Sequence, residues 1–211
     1  MAGRLRPNGA GKSSIGGAFA GDSGAPYFNP DEGARRILAA NPATTHRDAN
    51  SAAWLEGKRL LERAIAERLD VAIETTLGGN TLPTLLDEAF RRGIEVRVWF
   101  IGVASADLCL ARVRARVAKG GHDIPEADIR RRYDSGRINL LRLLPRLTEL
   151  LLYDNSTEAD PDSGLAPRPR QLLHLDNGRI VGQPDLTKTP RRAKPLLKTA
   201  IEGRARRAAE L

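Results

Sequence analysis

Two glycines, a lysine and two hydroxyls fall within Pro7-Asn8-Gly9-Ala10-Gly11-Lys12-Ser13-Ser14, in the order needed to wrap a chain of phosphates. Gly9 and Gly11 let successive backbone N–H groups of the Asn8–Ser14 run turn inward, Lys12 can reach the outer phosphates, and Ser13 can hold Mg²⁺. The chemistry implied is binding of a nucleoside triphosphate, ATP or GTP. The full pattern G-x-x-x-x-G-K-[ST] has glycine where this chain has Arg6. Arginine enters a glycine-only backbone conformation at a cost. Either its guanidinium sits on the nucleotide or the working N-terminus differs from the one written.

Acidic and hydroxylic residues recur at points where a phosphate-transferring site would need them. Asp31 follows Pro30, a position that also suits a helix cap. Glu74 stands directly after the apolar run Val71-Ala72-Ile73, where a carboxylate is costly unless it is paired, hydrated or bound to metal. Thr75 and Thr76 either coordinate phosphate or cap the next turn, and Gly78-Gly79 provides close backbone approach or a flexible loop. Further on come Arg112, Arg114, Arg116 and Lys119, then Gly120-Gly121-His122 and Arg130-Arg131-Arg132. Spacing puts Arg112 and Arg116 on one helical face. Phosphoryl transfer needs cations over the transferring oxygens, often carried on a lid, with a carboxylate to orient the attacking hydroxyl. Two or three of these arginines are expected at the site, the others on solvated surface. His122 reads as a loop hydrogen-bonding residue, since neither histidine nor cysteine accompanies it at metal-ligand spacing. Trp54 and Trp99 read as core.

Alternating patterns supply the elements that would position these groups. Residues 1–6 form a weak first strand, since Met-Ala-Gly-Arg-Leu-Arg lacks the continuous branched residues of a buried parallel strand. A helix over 13–20, a brief strand over 26–29 and a helix from Pro30 follow. The clearest amphipathic helix covers 52–68, with Trp54, Leu55, Lys58, Leu61, Ile65 and Leu69 at three- to four-residue spacing. Strands are predicted over 70–73, 95–101 and 150–153, with helices over 80–92, 106–119 and 125–137 and an apolar stripe over 140–147. Three prolines mark 158–170 as linker or surface loop. Asp176-Asn177-Gly178 joins 171–175 to 179–181 as a small hairpin. The repeated strand and helix order predicts an α/β fold in three layers, a mostly parallel sheet with helices on both faces. Ligands of such sheets lie beyond the carboxyl ends of the strands. Lys12 and Ser13 follow the first strand, Asp31 the second, Glu74 and Thr75 the third, and Asp154-Asn155-Ser156 a later one.

Composition bounds the rest. The chain has 211 residues, with 34 lysines and arginines against 26 acidic residues, a formal charge of +8 that favours polyanionic ligands. Eight basic residues and two acidic ones lie from Thr187 onward. That tail is either an amphipathic helix against the body or a solvated end, and it is the one place for contacts to nucleic acid. Cys109 is the single cysteine, so a disulfide framework and a thiolate metal site are both excluded and a cytoplasmic location is expected. No signal-peptide core precedes the glycine loop, and charges interrupt every candidate membrane span.

Six phrases in order carry a resemblance to a known family. They are Pro7-Asn8-Gly9-Ala10-Gly11-Lys12-Ser13, Phe28-Asn29-Pro30-Asp31-Glu32, Ile73-Glu74-Thr75-Thr76-Leu77-Gly78-Gly79, Gly120-Gly121-His122-Asp123-Ile124-Pro125-Glu126, Ile129-Arg130-Arg131-Arg132-Tyr133 and Tyr153-Asp154-Asn155-Ser156. Running from Leu5 to Ser156, they resemble the zeta toxin family of P-loop kinases, and within it a branch of small bacterial proteins called predicted ABC-type ATPases. Departures from the family are Arg6, the polar first strand and the Glu-Thr-Thr-Leu phrase on the substrate side.

The resemblance implies a P-loop NTPase fold with a kinase-like lid, binding ATP and Mg²⁺ around Lys12. The best-known members phosphorylate the amino sugar of UDP-N-acetylglucosamine and poison cell-wall synthesis. On that pattern Asp31 matches the base acting on the sugar hydroxyl. Glu74 matches the strand-end acid near substrate and metal, with Ser13 as the other metal ligand and Thr75 and Thr76 on the substrate side. Arg116, Arg131 and Arg132 match the lid cations that meet the γ-phosphate. Such kinases are commonly held silent by a small antitoxin protein. The domain organisation expected is a kinase core over 1–156, with the lid over about 103–137, followed by linker, hairpin and basic tail over 157–211. The function expected is an ATP-dependent kinase acting on a small-molecule hydroxyl, foremost a UDP-amino sugar. Alternatives are a kinase for a nucleoside, nucleotide or RNA end, and a degenerate nucleotide-binding protein without turnover.

Overall fold

The computed structural model describes residues 2–5, 25–121, 123–157 and 169–209. The phosphate-loop residues Asn8, Gly9, Ala10, Gly11, Lys12, Ser13 and Ser14, with Arg6, the expected first helix and His122, lie outside the described residues.

Strand β1 (Ala2–Leu5) precedes β2 (Tyr27–Phe28). Helix α1 (Pro30–Ala40) begins where proline presets the first helical φ and the Asn29 side chain accepts from the Asp31 and Glu32 amides. Helix α2 (His46–Glu67) starts six residues before the apolar periodicity does, because Thr45 caps it through the Asp48 amide. It ends at Arg68, which takes a left-handed conformation with φ 56°. Next come β3 (Ala72–Thr75), α3 (Thr81–Arg91), stopped by Gly93 at φ 66°, and β4 (Arg97–Gly102). Helix α4 (Ala106–Val117) is capped by Ser105. Helix α5 (Glu126–Leu143) takes in the start of the predicted stripe over 140–147 and runs into a 3₁₀ turn at Leu144–Arg146. Strands β5 (Glu149–Asp154), β6 (Arg170–Asp176) and β7 (Arg179–Ile180) and helix α6 (Lys194–Ala209) complete the order.

The strands lie in the order β2-β3-β1-β4-β5-β6-β7. Strand β1 is hydrogen-bonded to β3 on one side and β4 on the other, within one seven-stranded sheet. Ladders from β2 to β5 are parallel, whereas β5/β6 and β6/β7 are antiparallel. The expectation of a mostly parallel sheet is corrected on the β4–β7 side, where one parallel ladder is followed by two antiparallel ones. One local cause is visible at the last ladder. Asn177 and Gly178, with φ 44° and 72°, make the tight two-residue turn that folds β7 back on β6.

Alternation along β4 serves two cores. Val98 and Phe100 join the larger one, with α2, α3, the end of α5 and α6, while Ile101 joins Val103, α4 and the start of α5. The basic tail is packed: Leu196, Leu197 and Ala200 of α6 are buried in the larger core. The buried face of α2 is Ala49, Ala53, Gly57, Leu61, Ala64 and Ile65, so Trp54 is 42% exposed where the sequence suggests core. Small residues win that face because α1 and β2 come close: a Cβ on Gly57 would lie 2.8 Å from the Phe28 ring.

Candidate active site

Apolar Val71, Ala72 and Ile73 drive β3 into the interior and carry Glu74 with them, leaving it only 3% exposed. A carboxylate so buried needs hydrogen-bond donors. Tyr27 donates its hydroxyl to Glu74 Oε2 at 2.7 Å, and Asn29 donates its amide to the same oxygen at 3.3 Å. Phe28 pairs with Ile73 in the parallel ladder, so Asn29 arrives level with Glu74. The Asn29 Oδ1 atom accepts from the Asp31 amide at 2.9 Å and the Glu32 amide at 3.4 Å. Asn29, and not Asp31, is thus the cap of α1, and Asp31 occupies its first turn. On the other side of β3, β1 runs with Arg4 level with Glu74 and ends with Leu5 level with Thr75.

The turn after β3 is clasped by α5. Thr75 Oγ1 accepts from the Leu77 amide at 3.1 Å and Thr76 Oγ1 from the Gly78 amide at 3.4 Å, so both hydroxyls cap the turn. Leu77 is fully buried at φ 54°, a conformation a branched side chain adopts only under outside constraint. The constraint is visible. Buried Asn139 donates to the Leu77 carbonyl at 2.8 Å and the Gly79 carbonyl at 3.1 Å, and Ser135 donates to the Gly78 carbonyl at 2.9 Å. Gly136 permits the approach, since a Cβ there would lie 2.6 Å from the Thr76 carbonyl oxygen.

Of the arginines singled out by spacing, Arg132 meets this turn, its stem lying where a Cβ on Gly78 would be. Arg131 is exposed and pairs with Asp128 at 2.7 Å. Arg116 sits in the last turn of α4, folded against Gly121, whose amide donates to the Arg116 carbonyl at 3.0 Å. Arg112 turns to the end of β5, donating to the carbonyls of Asn155 at 2.9 Å and Thr157 at 3.3 Å. Asp154 is held there by Arg192 and Ser156, with Arg170 at 3.5 Å. Cys109 is fully buried, and desolvation pushes its thiol up to about 11, so it is no nucleophile.

The structure therefore ties the Asp31 main chain to Glu74 through Asn29 and sets Thr75, Thr76 and Arg132 at the turn that follows Glu74, while Arg131 pairs with Asp128 and Arg116 packs on Gly121. Tyr27, Asn29, Ser135, Asn139 and Arg192 escape the sequence reading. Only Asn29 gave a signal, as an asparagine directly before the proline and acidic pair of a helix start. A small apolar-lined pocket lies between β4, β5, β6, α5 and α6, with Phe100, Leu152, Leu172 and Leu196 in its wall. Neither Asp31 nor Glu74 lines it, so it is not the place for this chemistry.

No family model matches the chain. An uncharacterized protein of Haemophilus influenzae is 32% identical over 126 residues, covering 60% of this chain and 86% of that protein. The chain belongs to the same family as that protein. Among solved structures it is similar to the AvrRxo1-ORF1:-ORF2 complex with ATP, with a TM-score of 0.60 at 14% identity. That likeness covers 95% of this chain, which spans 63% of the AvrRxo1 chain's length. A structure from the PezAT chromosomal toxin–antitoxin system of Streptococcus pneumoniae is similar with a TM-score of 0.53 at 16% identity, over 79% of this chain and 74% of that one. The likeness is one of fold: this chain shares the α/β architecture of these two structures. Among the described residues no helix is long and apolar enough to cross a membrane.

Proposed function

We propose that this chain is an ATP-dependent kinase that transfers a phosphoryl group to a small-molecule hydroxyl. A UDP-amino sugar such as UDP-N-acetylglucosamine is the favoured acceptor and a small antitoxin protein the partner. The observation that carries the reading is the join of Asp31 to Glu74 through Asn29, at strand ends level with the end of β1. The fold's likeness to a complex with ATP and to a toxin–antitoxin structure supports it.

In this reading the Asn8–Ser14 backbone and Lys12 bind the triphosphate. A buried carboxylate and a serine hydroxyl are hard oxygen donors of the kind Mg²⁺ takes, and it needs only one or two protein ligands when phosphates supply others. Glu74 and Ser13 would hold it, and when bound it neutralises charge on the phosphate oxygens. Asp31 orients the acceptor hydroxyl and takes its proton as the new O–P bond forms and ADP leaves. Thr75 and Thr76, fixed in their turn by α5, define the acceptor side. Arg132 lies nearest that turn, with Arg116 and Arg131 as the further lid cations that meet the transferring oxygens.

The test is mass analysis of a pool of sugar nucleotides and nucleotides after incubation with the protein, Mg²⁺ and ATP. One species should gain a single phosphate. Lys12→Ala should abolish the gain, and Asp31→Asn should keep ATP binding while losing transfer. Undiminished transfer by Lys12→Ala would refute the assignment.

A further inference from the structure

We propose that Asn29 is a positioning residue that sets Asp31 against Glu74, an inference that rests on the kinase reading above. Its side chain is used at both ends. The Oδ1 atom accepts the amides of Asp31 and Glu32 at 2.9 and 3.4 Å, while Nδ2 donates to Glu74 Oε2 at 3.3 Å. The main chain that bears Asp31 is thereby one side-chain amide away from the Glu74 carboxylate, although the two residues are 43 positions apart.

The chemistry selects asparagine. Serine, threonine and aspartate cap helices about as well. None of them offers an acceptor to the helix and an amide donor to a carboxylate at once; asparagine does, within one short side chain. Tyr27 completes the join. Two residues earlier, and so on the same side of the extended chain, it donates to the same Glu74 oxygen at 2.7 Å. Both donors come from β2 and its end, so the carboxylate is held by the segment that launches α1. Rotation or displacement of α1 would break the cap and the Glu74 link together.

The cap and the link can be separated by substitution in the full chain. Asn29→Ser keeps a capping hydroxyl and removes the Nδ2 donor to Glu74, Asn29→Asp keeps a capping acceptor with no donor at all, Asn29→Ala removes both, and Tyr27→Phe removes only the hydroxyl donor. Thermal melting, MgATP titration and acceptor-dependent transfer are measured for each. Asn29→Ser should melt above Asn29→Ala, yet all three Asn29 variants should lose about 100-fold in kcat, the scale of a misplacement of about 1 Å. The KM for MgATP should stay within about twofold. Tyr27→Phe should lower kcat in the same direction by a smaller factor. Transfer by Asn29→Ser at the wild-type kcat would reduce Asn29 to a cap and overturn the proposal, with the kinase reading intact. A wild-type chain that binds MgATP but phosphorylates no acceptor in the pool would overturn the kinase reading, and with it the catalytic meaning of the join.

Discussion

Replacing Gly136 by alanine sets two effects of similar size against each other. Within a helix such as α5, alanine gains about 1 kcal/mol over glycine. The new methyl carbon would lie 2.6 Å from the Thr76 carbonyl oxygen, a main-chain atom that cannot swing aside. Overpacking of this kind costs about 1–3 kcal/mol. Relief requires the turn after β3 to move off α5, which lengthens the Asn139 bonds to the Leu77 and Gly79 carbonyls, each worth about 1 kcal/mol. The clash and lost bonds outweigh the propensity gain, for a net loss of about 1–3 kcal/mol. For a chain of this size that lowers the melting temperature by about 3–10 °C. Gly79→Ala, where a Cβ meets nothing within 4 Å, is the control and should stay within about 0.5 kcal/mol. Chemical denaturation and thermal melting of the three proteins provide the assay. A Gly136→Ala protein as stable as wild type would refute the close contact between α5 and this turn.

Arg192→Met should cost about 1–3 kcal/mol, because Asp154 and Arg192 are both nearly buried at 11% and 12% side-chain exposure and the acid keeps only Ser156 and the more distant Arg170. Adding Asp154→Asn should recover part of that loss in a double-mutant cycle by denaturation; additive losses would show that the pair is uncoupled. Cys109 should resist a thiol reagent at pH 8 in the native protein and react after unfolding, and rapid native labelling would contradict its burial. Between the ordinary thiol value of 9.0 and about 11 the native thiol keeps a proton that the unfolded chain releases, so stability should fall as pH rises through that window. A flat profile there would count against this assignment.

The acidic residues were legible because their neighbours are informative. Three apolar residues ending in Glu74 can only be a strand that delivers a carboxylate to its tip, and Pro30 with two acids can hardly be anything but a helix start. What fixes those groups was not legible, since the partners of Asn29, Asn139 and Arg192 are 45, 62 and 38 residues away. Sequence suggests the cap at Asp31, whereas the structure gives it to Asn29 together with a second bond to Glu74. Trp54 misled for a different reason: periodicity ranks residues by hydrophobicity, whereas α2 chose its buried face for smallness, to admit Phe28 and α1. The hairpin at Asn177 and Gly178 was legible as a turn. Its consequence, an antiparallel extension beyond β5, depends on β6 finding the rim of a sheet that local patterning does not reveal.

Among the described residues both margins of the sheet finish in strands of two residues, Tyr27–Phe28 on one side and Arg179–Ile180 on the other. A ledge that short presents few unpaired main-chain groups for another polypeptide to zip onto. Recognition by strand donation is therefore a poor route onto the described sheet.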